Sequence, residues 1–243
     1  ILVDAEEIYP QKSYTFEEFS YEDIDCSFAP DAFDKGSHKI ELFLDFDFET
    51  QAYFKSYYVD KERSRSFRRI GRNVLDVYKI SEKNPVAIYT DGPLQVGLGI
   101  GKPQPVELDL QNDGQNRLTL GITLRNKWDG VISSFSKIAL MMPKQMDIQN
   151  RVCGTIEMVE GECSDMKVTC DPKIYRVYIV DLVQNKESFE DIKGFKNLRC
   201  PITINSGSLL LGNSPLLTEF FRVHADYEYE LSRSTSVSVK GAS

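Results

Sequence analysis

Several groups of residues in this chain have types and spacings that can do chemistry. Asp45, Asp47 and Glu49 alternate along one run, and Asp226, Glu228 and Glu230 along another. Two-residue spacing puts each trio on one face of a β-strand. Carboxylates held there can hydrolyse a glycosidic bond if paired at the right separation. They can also hold calcium if further oxygens converge. The same alternation is the ordinary pattern of a strand's wet face, and that is the reading the residues favour. The two histidines, His38 and His224, lack the His-Glu-x-x-His spacing of a zinc protease. His224 falls on the polar side of its run, two residues from Asp226, and no Gly-x-Ser-x-Gly elbow accompanies it. The sequence therefore assigns no catalytic residue, no cofactor and no metal ligand.

Cysteine chemistry is more informative. Cys153, Cys163, Cys170 and Cys200 are separated by nine, six and twenty-nine residues, while Cys26 stands apart. Zinc sites favour two tight pairs, so these four are expected to form disulfides, with three connectivities open. Disulfides imply an oxidising compartment, and hence an extracellular or cell-surface location. Gly97, Gly99, Gly101 and Lys102 superficially suggest a phosphate loop, but Pro103 stands where the Walker pattern needs Ser or Thr. The glycines fall on one face of an alternating strand, which points instead to close backbone approach.

The last chemical feature is basic. Lys61, Arg63, Arg65, Arg68, Arg69 and Arg72 are crowded into a chain of net charge -8. Such crowding calls for an acidic answer. Arg63, Arg65, Arg68, Arg69 and Arg72 are therefore the interaction candidates. They serve a protein partner, self-association, or the chain's own acidic arm. The acidic balance and thin aromatic interleaving make nucleic acid an unlikely partner. Leu209-Leu210-Leu211 between two turn signals is a further contact candidate, or a plug for one end of the fold.

These residues must be positioned by strands. Ile40, Leu42, Leu44, Phe46 and Phe48 alternate with polar neighbours, and so do Phe221, Val223, Ala225, Tyr227, Tyr229 and Leu231. This period of two marks sheets packed on one face. Further short runs between turn signals, one of them at Lys167–Cys170, without a βαβ rhythm, give an all-β protein of two tandem β domains. Residues 1–37 form an acidic arm. Residues 38–105 form a β domain that opens on one long strand, or on two strands with a bend near Thr50, and carries a short basic helical or irregular insertion at 61–79. Residues 106–243 form a β-sandwich, reached through Pro103 and Pro105. The composition, 41% hydrophobic and 27% charged, is that of a globular chain.

The run from Phe221 to Leu231 followed by Ser234–Gly241 resembles the closing hairpin of immunoglobulin-like β-sandwich domains. Such domains occur in exported or membrane-anchored surface proteins, including archaeal ones. The resemblance covers only these strands and carries no functional residue. It implies an immunoglobulin-like second domain and an exported location. A chain that opens Ile-Leu-Val-Asp without Met is expected to have lost a preceding targeting or anchoring segment, which leaves room for membrane attachment through a segment outside this chain. The functional expectation is a non-catalytic extracellular structural or protein-interaction module, an ectodomain or a filament subunit. The alternatives are a β-rich carbohydrate-active enzyme using paired carboxylates, with Tyr53, Tyr57, Tyr58 and Tyr89 as sugar platforms, or a viral structural protein.

Overall fold

The structure, a computed structural model, describes residues 33–112 and 116–240, with the backbone of residues 2–3 and 6–7. Cys26 and most of the acidic arm lie outside the described residues. The first half of the chain carries β1 (Leu2–Val3), β2 (Glu6–Glu7), β3 (Gly36–Asp60), α1 (Lys61–Arg69), α2 (Val74–Val77), β4 (Ile88–Tyr89), β5 (Leu94–Ile100), β6 (Val106–Leu108) and β7 (Arg117–Asn126). The second half carries β8 (Val131–Pro143), β9 (Met146–Ile148), β10 (Val152–Cys153), β11 (Ile156–Gly161), β12 (Tyr175–Val180), β13 (Phe195–Ile204), α3 (Gly207–Leu211) and β14 (Leu217–Val239). The protein is all-β, with short helices where the basic insertion was expected.

Compactness divides the chain into one unit of residues 1–45 and 230–243 and another of Phe46–Tyr229. In the first unit β1 pairs with β2 and with the start of β3, Leu2 opposite Glu41 and Val3 opposite Ile40. The second unit holds two sheets. The main sheet runs β10-β11-β12-β8-β14-β3, with β4 and β6 also paired to β3. The other runs β5-β7-β13-β9. The proline segment at 103–105 lies inside this second unit. Strand pairing crosses it, because β5 on one side is hydrogen-bonded to β7 on the other, from Leu94 opposite Asn126 to Ile100 opposite Leu120. Val96 lies opposite Leu124 and Leu98 opposite Ile122, apolar pairs that hold the two strands together.

Alternation dictates the core. Phe221, Val223, Ala225, Tyr227 and Tyr229 of β14 are buried, as are Leu118, Leu120, Ile122 and Leu124 of β7 and Leu198, Ile202 and Ile204 of β13. Each set is one face of its strand. The two sheets are joined across this core by polar and covalent links. The Leu94 backbone N–H donates to the Tyr227 hydroxyl (3.2 Å), which also bonds Thr50 Oγ1 (3.0 Å). Cys153 of β10 is disulfide-bonded to Cys200 of β13, with both residues fully buried.

Of the two forms expected for the first long run, β3 is the single strand, continuous through Thr50. Two local expectations differ from the structure. β14 is also continuous, running on to Val239 instead of turning near Ser232. Residues 232–239 offer no Gly, Pro, Asn or Asp to reverse the chain, and their Thr and Val favour extension. The strand expected at Lys167–Cys170 is absent, because the Cys163–Cys170 disulfide draws that segment into a tight loop. The loop instead lays Met166 on the outer face of the main sheet, against Ala139, Met141 and Val177, with Val168, Cys170, Tyr175 and Ile179 around them.

Candidate cation-binding site

That loop changes the chemistry of the sheet beneath it. On β14, His224 and Asp226 share one face by their two-residue spacing. Glu49 comes from β3, the neighbouring strand, and Lys167 comes from the disulfide loop. His224 was expected on the wet face of its strand. It is 1% exposed. Asp226 and Glu49 beside it are partly exposed.

The geometry is tight. The ligand atoms of Glu49, His224 and Asp226 all lie within 4.8 Å of one another. His224 Nε2 is 3.1 Å from Asp226 Oδ2. Its Nδ1 is buried without a hydrogen-bond partner, and the nearest carboxylate oxygen, Glu49 Oε1, stands 3.6 Å away. Lys167 Nζ donates to Glu49 Oε2 (2.7 Å) and to Asp226 Oδ1 (3.1 Å). Gln51 Nε2 donates to Glu49 Oε1 (2.6 Å).

Both carboxyls are held below their ordinary values. For Glu49, burial works against ionisation, but the hydrogen bonds from Lys167 and Gln51 and the nearby positive charge outweigh it. For Asp226, burial is again opposed, by the bonds from Lys167 and His224. The Lys167 ammonium is pushed up, by its bond to Glu49 first and to Asp226 second. With Nε2–H donating to Asp226, Nδ1 presents a lone pair toward a carboxylate oxygen that also carries lone pairs. Two acceptors facing each other in a buried place call for a proton or a metal cation between them. One imidazole nitrogen with two carboxylates is a donor set that suits a borderline divalent ion such as zinc or manganese better than calcium.

Of the acids singled out in sequence, Glu49 and Asp226 converge. Asp45 and Asp47 are exposed, and Glu228 accepts a hydrogen bond from Ser134 Oγ (3.0 Å). Of the tyrosines expected to serve as sugar platforms, Tyr57 and Tyr58 are buried in the core, which removes them from that role. His38 bonds the Asp34 carbonyl through Nε2 (2.8 Å), in the other unit.

The basic cluster folds as α1 and the turn after it. Asp60 caps the helix by accepting from the backbone N–H groups of Glu62 and Arg63, and Arg68 and Arg69 close its last turn, where the helix dipole favours cations. Much of its charge is answered nearby. Lys61 pairs with Asp109 (2.7 Å), Arg65 with Glu62 (2.6 Å) and Arg68 with Glu107 (2.9 Å), while Arg63 donates to the Tyr78 hydroxyl (3.3 Å). Arg69 and Arg72 are exposed. Leu210 and Leu211 of α3 are buried, and Leu209 is exposed.

No protein-family model matches the chain, and no curated protein matches it. The class that the fold and the site define is therefore an all-β, two-sheet, disulfide-bonded protein with a histidine–carboxylate cluster on its main sheet.

Proposed function

We propose that this protein is a divalent-metal-binding β module that works outside reducing compartments, at the cell surface or beyond it, in a structural or protein-interaction role. The observation that carries this reading is His224 Nδ1, buried without a hydrogen-bond partner and 3.6 Å from Glu49 Oε1, while Nε2 of the same ring bonds Asp226. A metal there ties β3 to β14 through Glu49, His224 and Asp226. The two disulfides support the oxidising location. The two sheets facing one apolar core support a β-sandwich as the finer form of the fold.

A second reading, carbohydrate hydrolysis through paired carboxylates, is favoured by the convergence of Glu49 and Asp226. It requires one carboxyl to stay protonated as the general acid. Both are instead held low, which is why metal binding ranks first.

The test is titration of the protein with zinc and manganese, followed by calorimetry and by the thermal midpoint, for wild type, His224→Ala and Glu49→Gln. One equivalent bound by wild type, with affinity lost in both variants, supports the reading. Wild-type affinity in His224→Ala refutes it. Hydrolysis of a polysaccharide that Glu49→Gln and Asp226→Asn both abolish without metal would establish the second reading instead.

A further inference from the structure

The outward face of the second sheet is unlike the rest of the molecule. The chain carries a net charge of -8, yet β5, β7 and β13 contain no acidic residue, and the one acid of the fourth strand, Asp147 of β9, is paired with Arg176. Arg117, Arg125 and Arg199 all point outward and are exposed. Among the described residues none of the three guanidinium groups has an ion pair or hydrogen bond. Their placement follows from the register. Arg199 lies opposite Gly121, midway between Arg117 and Arg125 on β7. Four residues of strand separate Gly121 from each, so the three charges form a line spaced at roughly 13 Å.

The floor between these charges is smooth. Gly97 lies opposite Thr123 and Gly99 opposite Gly121. A Cβ at Gly99 would meet nothing within 4 Å. Thr123 Oγ1 donates to Asn197 Oδ1 (2.7 Å), a polar pair on the same face. Where β5 forms the sheet edge, a groove of about 400 Å³ is lined by Gly97 and Gly99 together with Val86, Tyr89 and Lys102. Val86 is 70% exposed. At the other end of the line Phe195, 67% exposed, sits opposite Arg125.

We propose that this face binds an anionic polysaccharide, a polymer of sulfated or carboxylated sugars. The arginines supply forked contacts to successive sulfates or carboxylates. The glycine floor lets flat sugar rings lie close to the backbone, and Phe195 and Tyr89 offer apolar faces to them. An evenly spaced line of charge fits a repeating chain better than a compact ligand. Polysaccharide is favoured over nucleic acid by the absence, among the described residues of this face, of a series of stacking aromatics, and by the oxidising location that the disulfides imply. This face is separate from the Glu49–His224–Asp226 cluster and does not depend on it.

The test measures binding of the whole chain to dextran sulfate, to a polyuronate, to neutral dextran and to a DNA duplex at low salt. Wild type is expected to bind one or both charged polysaccharides and not neutral dextran. Arg117→Gln/Arg125→Gln/Arg199→Gln is expected to lose about tenfold in affinity per arginine, with an unchanged thermal midpoint. Gly99→Tyr, whose Cβ enters open space, is expected to weaken binding by covering the floor. Arg69→Gln/Arg72→Gln on the helical insertion should bind as wild type. The proposal is overturned if neither charged polysaccharide binds, if the triple variant binds unchanged, if the helix variant loses as much as the triple one, or if the duplex binds as tightly as the polysaccharides.

Discussion

Removing the two disulfides one at a time should have unequal effects, and the inequality follows from chain length. Cys153–Cys200 closes a loop with a sequence separation of 47, and Cys163–Cys170 one of 7. Restricting the unfolded chain over those lengths is worth about 4 kcal/mol for the long loop and about 2.4 kcal/mol for the short one at 25 °C. Cys153 and Cys200 are both buried among apolar residues, so alanine there adds only a small cavity to the loss. The assay is urea unfolding of Cys153→Ala/Cys200→Ala and of Cys163→Ala/Cys170→Ala beside wild type, extrapolated to water. The long-loop variant should lose more by about 1.6 kcal/mol, the difference of the two loop terms. If the short-loop variant loses as much or more, the unfolded-chain argument fails. Native packing of Met166 against Ala139, Met141 and Val177 would then be the dominant contribution of that bridge.

Three further outcomes are expected. Lys167→Met removes the ammonium that competes for Glu49 and Asp226, so zinc should bind about tenfold more tightly, read by calorimetry at pH 7. Glu219 is pushed above the ordinary carboxylate value by burial. A carboxyl raised in the folded state stabilises fully at low pH and loses that contribution as pH rises through its folded value. Glu219→Gln should therefore raise the thermal midpoint at pH 7 and change it little at pH 3.5. Gly161→Ala would place a Cβ 2.7 Å from Ile179 Cγ1 and 2.8 Å from its Cδ1, so denaturant unfolding should show a loss of about 1–3 kcal/mol.

What the sequence makes legible is what depends on nearest neighbours along the chain. The alternation of Phe221 to Tyr229 names the core face of β14, and the crowding of Lys61 to Arg72 marks an insertion between strands. The four C-terminal cysteines are readable as a disulfide set, while their connectivity is not, since 153–200 depends on how two sheets stack. The metal-like cluster depends on longer-range contacts still. Glu49 and Asp226 are 177 residues apart, and Lys167 reaches Glu49 from 118 residues away. His224 sits on the polar side of its strand by period, and nothing beside it in sequence reveals that the fold buries it. The one local hint is Lys167 between Met166 and Val168 inside a short cysteine loop, a cation flanked by apolar anchors. The continuity of β14 was readable from the missing turn residues after Leu231, against the hairpin that the resemblance implied.

The Cys153–Cys200 bond also bears on how this protein withstands proteolysis. Everything between those residues, including the loop where Val183 is 90% exposed, is a span whose ends are already joined. A protease that cuts once there separates no fragment. The two halves stay linked as one molecule, heavier by a single water, and the sheets remain clamped. Damage of this kind would pass unnoticed until a reductant arrived. A single cut in that surface loop thus leaves the chain in one piece.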